Sequence, residues 1–312
     1  MRRLRPLIVP EASGRIVTVA ELKRLGVKRW RLYAGDTTRP LRGVVADASI
    51  DPFSFESRIA ATRAILRKGQ FLSRRTAAQL LELPTMARVE APSYPIEVGA
   101  IRPDKAPRRD EIAGHQIRPG TLRRDAIGPL WLPHPADVWG LLAGVSGLDE
   151  LVMVGDHLIS GRSRREPALC DPAELEETVR RFRRSVGIAK LREALPMLRT
   201  GVESPSESLL RLIIVRAGFE EPQTSCPVPV RGRRLYADLG YPRWRIAIEF
   251  DGEYHFEGGS RQARLDNSRI EAMIDAEWRV LRATSIDLRD PGPFLARLAR
   301  AIAKAEAELR SV

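Results

Sequence analysis

Two neighbouring stretches decide the fold of this chain: Arg234-Leu-Tyr-Ala-Asp-Leu-Gly-Tyr-Pro242 and Trp244-Arg-Ile-Ala-Ile-Glu-Phe-Asp-Gly-Glu-Tyr-His255. Both read as strands, joined by a turn at Pro242-Arg243 into an antiparallel pair. Side chains alternate across a strand, so Ile246, Ile248 and Phe250 share one face while Ala247, Glu249 and Asp251 share the other. The second strand is the core one, and Asp238 on the first can lie across from Glu249. Three carboxylates thus gather in apolar surroundings. Like charges in partly buried space repel unless a cation neutralises them, and carboxylate oxygens are the ligands a hard divalent ion prefers. Magnesium is the obvious candidate.

Upstream, Glu203-Ser-Pro-Ser-Glu-Ser-Leu-Leu-Arg-Leu-Ile-Ile-Val-Arg-Ala-Gly218 is framed as a helix by Ser204 as cap, Pro205 at the first position and Gly218 past the end. Downstream come Leu265-Asp-Asn-Ser-Arg269 and Trp278-Arg-Val-Leu-Arg282. Taken in this order over residues 203–305, these motifs resemble the PD-(D/E)XK nuclease superfamily, specifically the uncharacterised bacterial family related to the very-short-patch repair endonuclease. The resemblance implies that Asp238 and Glu249 hold Mg2+ or Mn2+, with Glu207 an outer acidic partner. The superfamily's lysine, two residues after the strand glutamate, is replaced here by Asp251. In the short-patch branch histidines near this strand serve instead, and His255 matches one of them. An imidazole can orient or deprotonate the attacking water. Arg269 would be one helix away, available to phosphate. The catalytic candidates are therefore Glu207, Asp238, Glu249, Asp251 and His255. Each has a structural competitor. Glu207 stands at capping-box spacing from Ser204, and Asp251-Gly252 is a turn dipeptide. Arg234 or Arg245 could pair the strand carboxylates, and His255 could simply finish a strand.

The front of the chain reads differently. In Ile16-Val-Thr-Val-Ala-Glu-Leu-Lys-Arg-Leu-Gly26, Thr18 can cap a helix that buries Leu22 and Leu25. Val27 to Tyr33 predicts a second short helix carrying Lys28, Arg29 and Arg31 around Trp30. Arg39-Pro-Leu-Arg-Gly-Val-Val-Ala46 then looks like a wing strand containing Arg42. Helices follow over 54–83, and short strands at Tyr94–Ile101 and Ile112–Ile117 flank a polar loop. Helical periodicity returns over 135–143 and 148–159. Over about residues 15–165 this order of elements resembles the antitoxins of the abortive-infection type IV toxin/antitoxin class, whose winged helix-turn-helix would turn Lys28, Arg29, Arg31 and Arg42 towards DNA; a solvated basic helix packed by Trp30 is the competing reading. A toxin partner comes with that resemblance. Residues 161–172 read as a linker. The helix expected over 173–185 begins with Glu174, Glu176 and Glu177 and ends with Arg180, Arg181, Arg183 and Arg184, which matches the helix dipole without any ligand; a DNA-contacting face is the alternative. His115, His134 and His157 are scattered, with no second ligand at metal spacing, and read as structural.

Charge supports the division. Residues 201–312 hold 17 Lys and Arg against 17 Asp and Glu. Subtracting these from totals of 52 and 40 leaves 35 basic and 23 acidic residues in the first 200, which carry the whole excess of +12. Such a region attracts phosphate whatever its sequence, although six Lys against 46 Arg can also reflect a GC-rich genome. No stretch approaches the ~20 apolar residues of a membrane span. Two cysteines, Cys170 and Cys226, make no disulfide framework. A cytoplasmic location, with no export and no membrane partner, is the expectation. The fold expected is α/β: a winged helix-turn-helix over 1–50, a small mixed α/β domain over 51–165 and a helical connector over 166–200. Residues 201–312 would form a restriction-endonuclease-like mixed sheet flanked by helices. The leading functional expectation is a metal-dependent DNA endonuclease. Its rivals are a non-catalytic, antitoxin-type DNA-binding regulator and an RNA-directed nuclease.

Overall fold

The computed structural model describes residues 14–86, 90–123, 132–161, 166–251 and 268–311. The chain is mixed α/β, with three small sheets and helices between them. It divides into two compact units, Met1–Val145 with Glu177–Ile188, and Ser146–Glu176 with Ala189–Val312. The boundary therefore differs from the division read in the sequence: the helix Leu148–Ser160 belongs with the C-terminal unit, and residues 177–188 belong with the front. Among the described residues no helix is long and apolar enough to cross a membrane.

In the first unit β1 (Ile16–Thr18), β2 (Thr37–Thr38) and β3 (Val44–Asp47) form an antiparallel sheet in the order β1-β3-β2. Thr18 caps the helix Val19–Arg24, its hydroxyl accepting the Glu21 N–H at 3.1 Å. That helix is one residue too short to bury Leu25, which is 49% exposed; Leu22 alone of the expected pair is inside. The second helix is only a 3-10 turn, Arg29–Tyr33, with no side-chain cap at Lys28 and one buried residue, Leu32. With so little apolar surface to bury, nothing extends it, and Trp30 stays 61% exposed. The wing strand begins later than expected, at Val44, while Arg39 stacks over the Tyr33 ring. A second sheet, β4 (Gln70–Leu72), β5 (Ile96–Ile101) and β6 (Ile112–Ile117), has β5 at its centre, antiparallel to β4 and parallel to β6. Leu72, Ile96, Val98 and Ile112 close its core with Ile59 from the helix Phe55–Arg63.

The second unit holds the antiparallel strand pair that the opening motifs predict, within a four-stranded sheet. β7 (Gln223–Val230), β8 (Arg233–Tyr241) and β9 (Ile246–Asp251) run antiparallel, and β10 (Arg279–Thr284) pairs parallel to β9, in the order β10-β9-β8-β7. A 3-10 turn, Pro242–Trp244, joins β8 to β9, with Arg245 left-handed at φ 49°. The alternation sorts as expected. Ile246, Ile248 and Phe250 meet Leu210 and Ile214 of the helix Pro205–Arg216, and Phe294 and Leu298 of the helix Gly292–Arg310. Ala247 faces the other way, with Cys226, Val228, Met273 and Trp278. Fully buried side chains such as Phe294 and Leu298 each contribute about 1.5–3 kcal/mol, so this two-sided packing is what fixes the strand register.

Candidate functional site

The β8–β9 register pairs Leu239 with Ile248, and one step outward come Asp238 and Glu249. Asp238 accepts the Phe250 N–H through Oδ2 at 2.8 Å, which ties the two strands where the ladder ends. Glu249 is 3% exposed. Its Oε2 receives the Arg269 guanidinium, which also donates to the Tyr236 carbonyl at 2.9 Å. Its Oε1 is buried without a hydrogen-bond partner. Glu207 lies at the third position of the helix Pro205–Arg216 and is also buried. Its N–H donates to Ser204 Oγ at 3.2 Å, and its Oε2 accepts the Glu203 N–H at 2.9 Å, so it serves the helix start as well as the acidic cluster.

These groups feel one another. Burial pushes the Glu207 carboxyl up to about 8, and the charge of Asp238 pushes the same way. Glu249 also rises to about 8, again from burial first and Asp238 second; Arg269 opposes, while Glu207 and Asp251 add further repulsion. Carboxyls held this far above their usual range mark a place where negative charge is costly and a cation is welcome. Among the described residues, however, no three Asp, Glu, His or Cys side chains already stand in a metal-holding group.

Two arginines share the cluster. Arg269, expected to reach for phosphate, is instead engaged with Glu249, because a buried carboxylate is the stronger local attractor. Arg282 sits opposite Glu249 on the parallel neighbour β10, and its Nε donates to Asp251 at 2.5 Å. Asp251 is thus held by an arginine. The sequence contained Arg282 within a quoted motif but gave it no role, since only the parallel pairing brings it beside Asp251. His255 lies outside the described residues.

Comparison with known proteins gives relatives but no function. The chain is 30% identical over 209 residues, 62% of its length and 75% of theirs, to two uncharacterised Mycobacterium tuberculosis proteins: MT2308 of strain CDC 1551 / Oshkosh and Rv2248 of strain ATCC 25618 / H37Rv. The chain belongs to their family. No family model matches it, and no solved structure does.

The basic residues expected to face DNA in this family member are not equivalent. Lys28 and Arg29 are exposed on the 3-10 turn, and Arg42 is exposed before β3. Arg31 is half-buried in a two-pronged ion pair with Asp36, which shortens the turn's reach towards any ligand. Two of the scattered histidines have structural contacts. His115 packs edge-on against Phe71 and meets Ser73 Oγ at 3.2 Å, and burial, aided by the charge of Arg74, lowers its pKa to about 3. His134 caps the helix Pro135–Leu142, its Nδ1 accepting the Ala136 N–H.

Sequence reading also missed a second charged centre. Asp156, fully buried in the helix Leu148–Ser160, accepts Arg211 Nη2 and Ser208 Oγ, each at 2.8 Å, and the Arg199 N–H at 2.7 Å. Its signal was present: a lone Asp and a lone Arg, each inside an apolar helical run.

Proposed function

We propose that this chain is a metal-dependent DNA phosphodiesterase whose chemistry belongs to the β8–β9 carboxylates and whose basic front holds DNA. The observation that carries this reading is Glu249: a carboxylate 3% exposed, with one oxygen unpartnered, beside two other acids that raise its pKa. The hard oxygen donors suit Mg2+ or Mn2+, which Asp238 and Glu249 would hold. When bound, such an ion supplies charge to stabilise a phosphoryl oxygen during hydrolysis. Arg282 brings positive charge to Asp251, at the position where the superfamily's lysine is missing. Glu207, its carboxyl raised by burial and by the charge of Asp238, is the outer acidic partner of the pair. The resemblance assigns His255 to orient the water. A cytoplasmic setting and a toxin partner belong to the same reading.

A second reading has its own observation. Arg269 and Arg282 each neutralise a carboxylate of the cluster without any ion, as expected of a nuclease-like domain that has become a scaffold for an antitoxin-type DNA-binding regulator. Nicking of supercoiled plasmid by the full chain separates the two. Nicking with Mg2+ or Mn2+, absent in EDTA and abolished in Asp238→Asn and Glu249→Gln, is the expected outcome. DNA binding without nicking under either metal decides for the regulator.

A further inference from the structure

The helix expected over 173–185 is shorter in the structure. It spans Pro172–Arg181, and Arg183 and Arg184 fall on the turn beyond its end. There, within the first unit, a concavity of about 410 Å³ opens between this arginine segment and the turn Arg118–Thr121. Five arginines line it, Arg118, Arg180, Arg181, Arg183 and Arg184, with Glu177 as the one acidic residue of the lining.

The floor is built. Arg181 donates to Thr121 O and to Asp137 Oδ1, each at 2.6 Å, and Asp137 is fully buried, its other oxygen taken by the Arg123 N–H at 2.9 Å. Arg181 therefore pins the arginine segment to the Arg118 turn. Glu177 is already used by Arg180 and Arg181. Among the described residues, the exposed side chains of Arg118, Arg183 and Arg184 have no hydrogen-bond or ion-pair partner.

Helix-dipole complementarity does not account for this. A helix C-terminus offers roughly half a negative charge. The arginines outnumber the carboxylates five to two even when Asp137 beneath them is counted. Three guanidinium charges remain to be met from outside, more than a single phosphate dianion supplies. They suit a run of phosphodiesters, each bearing one charge and each matching the planar guanidinium fork. The first 200 residues carry the whole positive excess of the chain, so the surrounding field favours a long polyanion.

We infer that the Arg118/Arg183/Arg184 concavity seats the phosphate backbone of DNA, with Arg181 as its positioning residue. This deepens the DNA-binding half of the reading above and needs no chemistry from the carboxylates. The test is fluorescence anisotropy of the full chain on a labelled duplex of arbitrary sequence, in EDTA, across a KCl series. Wild type should bind with a steep inverse salt dependence. The triple variant Arg118→Gln/Arg183→Gln/Arg184→Gln should lose about 2–3 units of the log–log salt slope and roughly tenfold or more in affinity near 0.1 M salt. The corresponding triple Lys variant should retain the slope. A control triple variant, Arg192→Gln/Arg231→Gln/Arg300→Gln, should match wild type. A Gln triple with native melting and unchanged slope overturns the inference while leaving DNA binding intact. Wild type that does not bind DNA at all overturns the DNA reading itself. Competition by polyglutamate as strong as by unlabelled DNA at equal charge also overturns the inference, in favour of an acidic protein partner.

Discussion

The C-terminal unit buries two carboxylate centres, and they are built on opposite principles. Asp156 is fully enclosed, yet each of its oxygens has a donor, and Arg211, itself 1% exposed, is shared onward with Glu221 at 2.7 Å. Burial pushes the Asp156 carboxyl up, while Arg211, the Arg199 N–H and the Ser208 hydroxyl all pull it down. Glu249 is nearly as deep, but its neighbours are mostly other acids, and one of its oxygens has no donor. The first arrangement minimises the cost of a buried charge; the second leaves that cost standing. A cluster that folding alone would not favour is where function is to be sought.

The sharpest way to break this contrast is to remove a cation from the satisfied centre. Arg211→Leu strands Asp156 in the interior, and urea unfolding should show a loss of about 3–5 kcal/mol. A loss under 1 kcal/mol would erase the distinction. The next effect is on pH. In EDTA, Glu207 and Glu249 bind protons more tightly in the folded chain, at about 8, than at their ordinary 4.5. The folded state therefore holds the extra protons between these values, and stability should fall as pH rises from 4.5 to 8 and then level off. The double variant Glu207→Gln/Glu249→Gln should flatten that slope; a wild type already flat over this window would sink the idea. The smallest effect is expected of Glu249→Gln alone at neutral pH. An amide of similar shape keeps an acceptor for Arg269 and removes the repulsion from Asp238, Glu207 and Asp251, so stability should change by less than ~1 kcal/mol. A cost like that of Arg211→Leu would place Glu249 among the structural charges.

The alternation in Ile246–Asp251 and the frame of Ser204, Pro205 and Gly218 were legible because each rests on a local rule that the packing then obeys. β7 was not, since Pro227 and Pro229 argue against a strand; it exists because it is the sheet edge, where a missing N–H costs little. The 3-10 turn at Arg29–Tyr33 looked like a helix because three basic residues around a tryptophan have the right composition, and composition does not report that only Leu32 is buried. At the site, Asp238 and Glu249 could be paired by counting along two adjacent strands. Arg282 on Asp251 and Arg269 on Glu249 could not, because both contacts are made by residues beyond 268, far along the chain from the strand they serve.

The front unit is interrupted: its chain leaves at Val145 and returns over Glu177–Ile188. The returning piece is keyed in closely. A methyl group at Gly140 would come within 2.7 Å of the Phe182 ring, and one at Gly187, where φ is +84°, within 2.1 Å of the Ala143 carbonyl. On the ribosome, the front unit is therefore finished only after residues 146–176 have been made. A gene fusion or proteolytic fragment ending near 145 carries Asp137 into the interior without Arg181. A fragment that keeps the whole front unit must run to residue 188, and it then carries residues 146–176 away from the rest of the second unit.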